Sequence, residues 1–193
     1  FRGQQRSNAT HRSVVDPEAR LARKGDGQPA LLSHSVHVLM DTSAGLCIDV
    51  AVDEANGQAE RRQAAALRRL LRQKHAAVAP SAGVGKGQRA GPFLMELEQQ
   101  RVTPLVPMPA GPIRGDGPEA AARRRAKQRM KTALYRTGQR VRKRVEEIIG
   151  WCKAVGGLRR ARFVGRWKIA LQALTTGAAY NLIRLARLKP LAA

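Results

Sequence analysis

Four side chains in one basic stretch have the types and spacing for metal-assisted chemistry on phosphates. They are Tyr135, Arg142, Glu146 and Lys153, in YRTGQRVRKRVEEIIGWCK. At about 100° per residue, Arg142, Glu146 and Lys153 fall within about 40° of one line on a helix, and Tyr135 joins them if the helix begins that early. Val141, Val145, Ile148 and Cys152 take the opposite side at i, i+4, i+7 and i+11, a stripe suited to a core. Glu146 therefore points away from the stripe, with a base one turn before it and another two turns after. One reading is a solvated ion pair, worth well under about 1 kcal/mol. The other is a carboxylate that holds a divalent cation beside DNA phosphates, with Arg142 and Lys153 positioning the strand. Two metal ions about 4 Å apart need several carboxylates converging from different elements, so Glu146 cannot do this alone.

Other candidates for chemistry are weaker. GVGKG (83–87) invites a phosphate-loop reading, but Lys86 is followed by Gly87 rather than by the hydroxyl residue that would reach magnesium, so a loop is expected. His34, His37 and His75 lack the carboxylates or spacing of a metal site; His34 and His37 read as strand residues and His75 as lying near a helix end. Cys47 and Cys152 are two isolated thiols with no C-x-x-C, which fits buried small side chains in a reducing compartment.

The elements that must carry these residues follow from pattern. HSVHVLM (34–40) and LCIDVAV (46–52) are β-rich runs joined by DTSAG, a hairpin signature. QAERRQAAALRRLLRQK (58–74) has helical spacing, AAVA (76–79) suits a short strand, and Pro92 opens a helix over FLMELEQQR. Pro104 and Pro107 limit the next run to a short edge strand. From Glu119 the chain reads as helical and basic, and the last helix, about 167–187, places Trp167, Leu171, Leu174 and Ala178 on one face.

Charge narrows the partner. In 193 residues, 36 Lys and Arg oppose 14 Asp and Glu, a net of +22, and residues 118–168 alone carry seventeen Lys and Arg against three Glu, a net of +14. Such a balance calls for a polyanion. Aromatic content of only 4% disfavours readers that stack unpaired bases, so double-stranded DNA is expected, and a ribosomal or RNA-binding role less so. No run approaches the roughly 18 apolar residues of a membrane span. The sequence opens on Phe1 without an initiator Met, which suggests a fragment.

The series Tyr135, Arg142, Glu146, Lys153 resembles the Y-R-E-K region of the DDE transposases of bacterial insertion sequences, whose last catalytic acid is the Glu four residues after the Arg and seven before the Lys. The likeness extends to RGQQRSNATHRSVVDPEARLARKG (2–25), similar to the family's basic connector, to LSHSVHVLMDTSAGLCIDVAVDEANGQAER (32–61), similar to its second and third strands and following helix, and to AAYNLIRLARL (178–188), similar to its closing helix. The resemblance implies an α/β, RNase H-like mixed sheet flanked by helices, here lacking the first strand. It makes Glu146 the third acid, the one surviving Mg2+ ligand, and Glu147 its non-catalytic neighbour. GVGKGQR (83–89) stands where the family has a motif close to G-A-D-K-G-Y-D, so Gly85 occupies the second Asp position and Gln88 the Tyr position. The family's first Asp lies on a strand that would precede Phe1. No Asp lies between Asp53 and Asp116 to substitute, and Asp41, Asp49 and Asp53 read as structural or solvated.

The expected organisation is a basic connecting segment over 1–32, a partial RNase H-like sheet with helices over 33–106, a Pro/Gly then Arg-rich linker over 107–134, and the C-terminal helical part of the same catalytic domain over 135–193. The resemblance implies a truncated, degenerate transposase that does not bind Mg2+ productively and cannot cut or join DNA. Tyr135, Arg142, Lys153, Arg123, Arg124, Arg125, Lys143 and Arg144 are its expected DNA contacts, in a bacterial, nucleoid-associated cytoplasmic setting and in a homo-oligomer on DNA ends. The competing expectation is a non-catalytic basic DNA-binding protein that interferes with intact transposase.

Overall fold

The computed structural model describes residues 3, 7–23, 25, 27–55, 80–85 and 89–188. The helix expected over 58–74, the strand over 76–79, His75 and Gln88 lie outside them. The chain divides into two compact units, Phe1–Gln63 with Ile148–Ala193, and Ala64–Glu147.

In the first unit the two β-rich runs form β2 (Leu31–Asp41) and β3 (Leu46–Glu54), antiparallel, with Gly45 at φ 75° closing the turn. Asp41 secures that turn by accepting hydrogen bonds from the Ser43 and Ala44 N–H groups, so it is structural. A third strand, β1 (Arg20–Ala22), pairs antiparallel with Leu31–Ser33, giving the order β1-β2-β3. Three residues are too few to show an alternating pattern, which is why this strand is absent from the sequence reading of 1–32.

The β2–β3 register slips between Leu39 and Met40: Leu39 faces Asp49, while Met40 faces Cys47. An extra residue in one strand resets which side chains share a face. Cys47 and Val50, three apart, are accordingly both buried in the core with Ile148, Cys152, Ala173 and Tyr180. The helix crossing β3 is α4 (Arg166–Arg187). A Cβ at Gly177 would lie 3.1 Å from Cys47 Sγ and 3.2 Å from Val50 Cγ2, so glycine sets how closely this helix approaches the sheet. Its buried residues are Ile169, Ala173, Thr176, Gly177 and Tyr180; the stripe of Trp167, Leu171 and Leu174 is exposed.

The second unit contains β4 (Ser81–Gly83) and β5 (Thr103–Leu105), which pair in parallel, Gly83 opposite Leu105. It also contains α1 (Gly91–Gln99) and α2 (Pro118–Arg129), each with proline in its first turn. Leu94, Val106, Met108, Ala122 and Ala126 form its core. A Cβ at Gly91 would collide with the Glu119 side chain, so this glycine lets the starts of α1 and α2 abut. The segment 107–134, expected as a linker, thus holds a helix whose buried face is alanine. The long helix α3 (Ala133–Ala154) follows, with Ile148 and Cys152 of the expected stripe buried and Val141 and Val145 half-buried.

Candidate functional site

Helix α3 begins with Thr132, whose Oγ1 accepts the Tyr135 N–H, satisfying one of the donors left open in a first helical turn. Within the second unit its next turns meet β4 and β5. Gly138 sits so close to Leu105 that an added Cβ would collide with Leu105 Cδ1. One residue on, Gln139 donates from Nε2 to the Leu105 carbonyl at 2.9 Å. The Val84 N–H reaches the same carbonyl at 3.4 Å, just past the end of β4. A Cβ on Gly83 would have as nearest neighbours Arg142 Cβ, Arg142 Cγ and the Gly138 carbonyl, all at 3.7 Å. Helix α3 therefore lies against the last residues of both parallel strands, where backbone groups leave the ladder and binding sites in α/β sheets form.

Gly138, Arg142 and Glu146 follow one another at i, i+4 and i+8, so the side that touches the strand ends continues one turn further to Glu146. Arg142 is held from both directions, its Nε donating to Gln139 Oε1 at 3.3 Å and its Nη2 lying 3.5 Å from Glu146 Oε1. The Glu146 side chain is 67% exposed, against 31% for Arg142. A pair this open contributes well under about 1 kcal/mol to stability, which leaves both groups free to rearrange around a ligand at small cost. Gly85, two residues beyond β4, is half-buried and brings no side chain to this region.

The other expected contacts are distributed unevenly. Tyr135 is half-buried, Lys143 and Lys153 are exposed, and Arg144 is half-buried with a partner of its own. On α2, Arg125 binds Glu98 at 2.5 Å and Arg129 binds the same carboxylate at 2.7 Å. Burial pushes the Glu98 carboxyl up, but hydrogen bonds from Arg125 and Arg129 outweigh it and hold the group below its ordinary value. Arg124 is tied to Asp116 at 3.2 Å and to the Gly115 carbonyl, and Arg123 lies 3.8 Å from Glu119. The arginine run is therefore partly compensated by acids that simple counting spreads over the whole chain.

Acids of the first unit are engaged structurally. Asp53, 6% exposed, lies 3.3 Å from Arg166 Nη1, and Glu18 accepts the Arg166 backbone N–H at 2.8 Å at the start of α4, where a negative charge is favoured. Asp16 binds His34 Nε2 at 2.9 Å. Among the described residues no group of three or more His, Cys, Asp or Glu is placed to hold a metal ion. Glu146 has no second carboxylate beside it in such a group, so the described residues do not fit the two-ion arrangement. Gly138, Gln139 and Leu105 had no signal as site residues in the sequence.

In a protein of net charge +22, α3 thus presents Glu146 and its neighbour Glu147 among cations, on a helix braced against parallel strand ends. The transposase DDE domain family model matches residues 19–182, and the chain belongs to that family. No curated protein and no solved structure matches it. The family is one of transposases, whose substrate is DNA, and among the described residues no helix is long and apolar enough to cross a membrane.

Proposed function

We propose that this chain is a transposase DDE domain of the insertion-sequence, Y-R-E-K class that binds double-stranded DNA and neither cuts nor joins it. The carrying observations are two: Glu146, exposed at the end of the α3 ridge, belongs to no group of three metal-ligating side chains among the described residues, and Gly85 holds the position where the resemblance calls for the second acid. Magnesium keeps its water shell unless several oxygens replace it, and one carboxylate beside a guanidinium offers too little. Among the described residues, the order of three antiparallel strands, then β4, α1 and β5 with the two strands parallel, then three helices supports the RNase H-like reading. The net charge of +22 supports DNA as partner, with Arg142, Lys143 and Lys153 on α3 as backbone contacts and homo-oligomers forming on DNA ends.

The test combines a binding and a reaction measurement. Duplex affinity should fall linearly with salt on a log-log plot, with a slope of about −0.9 per neutralised phosphate. Strand nicking and transfer with magnesium or manganese should stay at background. A flat salt response removes the DNA-binding half of the proposal, and metal-dependent activity that Glu146→Gln abolishes removes the other half.

A further inference from the structure

In the second unit a cleft of about 450 Å³ is lined by Arg89, Arg114 and Arg123, with Met108, Ile113 and the rings of Pro109 and Pro112 as its apolar surface. Among the described residues its lining has three guanidinium groups and no carboxylate. Arg123 lines the cleft with a side chain 39% exposed and Nη2 3.8 Å from Glu119, while its Nε–H is buried and has no acceptor among the described residues. The exposed guanidinium nitrogens are therefore the ones a ligand in the cleft can reach. The wall is built rather than loose. Lys127 Nζ donates to the carbonyls of Ala110 and Gly111, both at 2.7 Å, and Arg124 ties down Gly115 and Asp116. Four hydrogen bonds from α2 thus fix the loop that carries Arg114, and Pro107, Pro109 and Pro112 in that loop limit its backbone freedom further.

Guanidinium forks match phosphate oxygens in pairs, whereas flat apolar surface suits a sugar or base face. The volume lies in the range of small-molecule sites. We propose that this cleft is a discrete site for one nucleotide, held by its phosphate against Arg89, Arg114 and Arg123, with the sugar and base over Met108 and the prolines. The nucleotide is either the 5′-phosphorylated end of a DNA strand or a free mononucleotide; only the first source rests on the DNA-binding reading. The site does not depend on Glu146 or on a metal.

The experiment titrates the full chain with deoxyadenosine monophosphate, with deoxyadenosine, and with a short single-stranded oligonucleotide carrying either a 5′-phosphate or a 5′-hydroxyl, at physiological salt. Arg114→Gln changes an exposed loop residue, Arg123→Gln removes a second guanidinium from the lining, and Arg159→Gln removes an exposed charge in the other unit as control. Binding of the phosphorylated probe should weaken at least tenfold in both cleft variants and stay within about twofold in the control. Saturable binding of the monophosphate assigns a free nucleotide; binding of the phosphorylated strand alone assigns a strand end. The proposal is overturned if all three variants weaken binding equally, if deoxyadenosine binds as well as its phosphate, or if neither phosphorylated probe saturates. Duplex binding that persists while the cleft fails leaves the DNA-binding reading standing.

Discussion

Replacing Gly138 by alanine tests whether α3 is truly braced on β5. In an ordinary helix interior the change stabilises by about 1 kcal/mol, because glycine costs backbone entropy. Here the new methyl runs into Leu105 Cδ1, while Leu105 Cγ and Cβ lie at 3.6 and 3.7 Å, ordinary contact distances. Only one terminal carbon is in the way, but Leu105 is 2% exposed and its neighbours are packed. Forcing such a side chain aside costs typically ~1–3 kcal/mol. Gly138→Ala alone should therefore lower stability by about 1 kcal/mol. Leu105→Val removes the offending carbon at its own cost of roughly 1 kcal/mol. In that background Gly138→Ala should raise stability by about 1 kcal/mol, a coupling near 2 kcal/mol between two residues 33 positions apart in sequence. Urea unfolding of the four proteins measures the cycle. If the two changes add to within about 0.3 kcal/mol, α3 does not sit on the strand end as described, and the placement of Arg142 and Glu146 loses its basis.

Two further outcomes follow from local electrostatics. The Glu98 carboxyl is held below its ordinary value of 4.5, so its contribution to stability is full above that pH and disappears as pH falls through the lower folded value. Glu98→Gln should flatten this acid limb in pH-dependent urea melts; an unchanged limb contradicts the two-arginine clamp. Burial, reinforced by Cys152 and Asp49, pushes the Cys47 thiol from 9.0 up to about 11. Near pH 8 that leaves about 100-fold less thiolate, so iodoacetamide should label Cys47 far more slowly in the folded chain than in urea. Folded and unfolded rates within a factor of about three would show that the β3 core opens readily.

Patterns that repeat over many residues were legible in the sequence. The hairpin could be read from HSVHVLM and LCIDVAV, and Ile148 and Cys152 from their spacing, because alternation and 3.6-residue periods leave a trace in composition. Strands β1 and β4 had none: Arg20–Ala22 and Ser81–Gly83 are three residues each, and their pairing comes from tertiary neighbours rather than propensity. Gly83 was read as the start of a loop, whereas it ends β4 and is the glycine against which Arg142 packs. On α4 the large apolar residues drew attention to the face that is exposed. The buried face uses Ala173, Thr176 and Gly177, small groups that permit close approach but rank low in hydrophobicity. Glu146 was singled out through a motif, while the bracing of its helix by Gly138, Gln139 and Leu105 was not legible, since nothing in a sequence says which helical glycine meets another element. Arg89, Arg114 and Arg123 are likewise scattered, and only the fold gathers them.

The carboxamide of Asn181 accepts from the Cys47 N–H and donates to the Cys47 carbonyl, both at 2.7 Å. Cys47 lies on β3, the outermost strand of its sheet among the described residues, at the point where the register slips. One side chain from α4 thus imitates the peptide group of an adjoining strand, occupying the two valences through which a foreign segment would dock. At that residue the outward backbone groups of the hairpin rim are therefore already taken, and strand-to-strand pairing with another segment cannot start from Cys47 without first displacing Asn181.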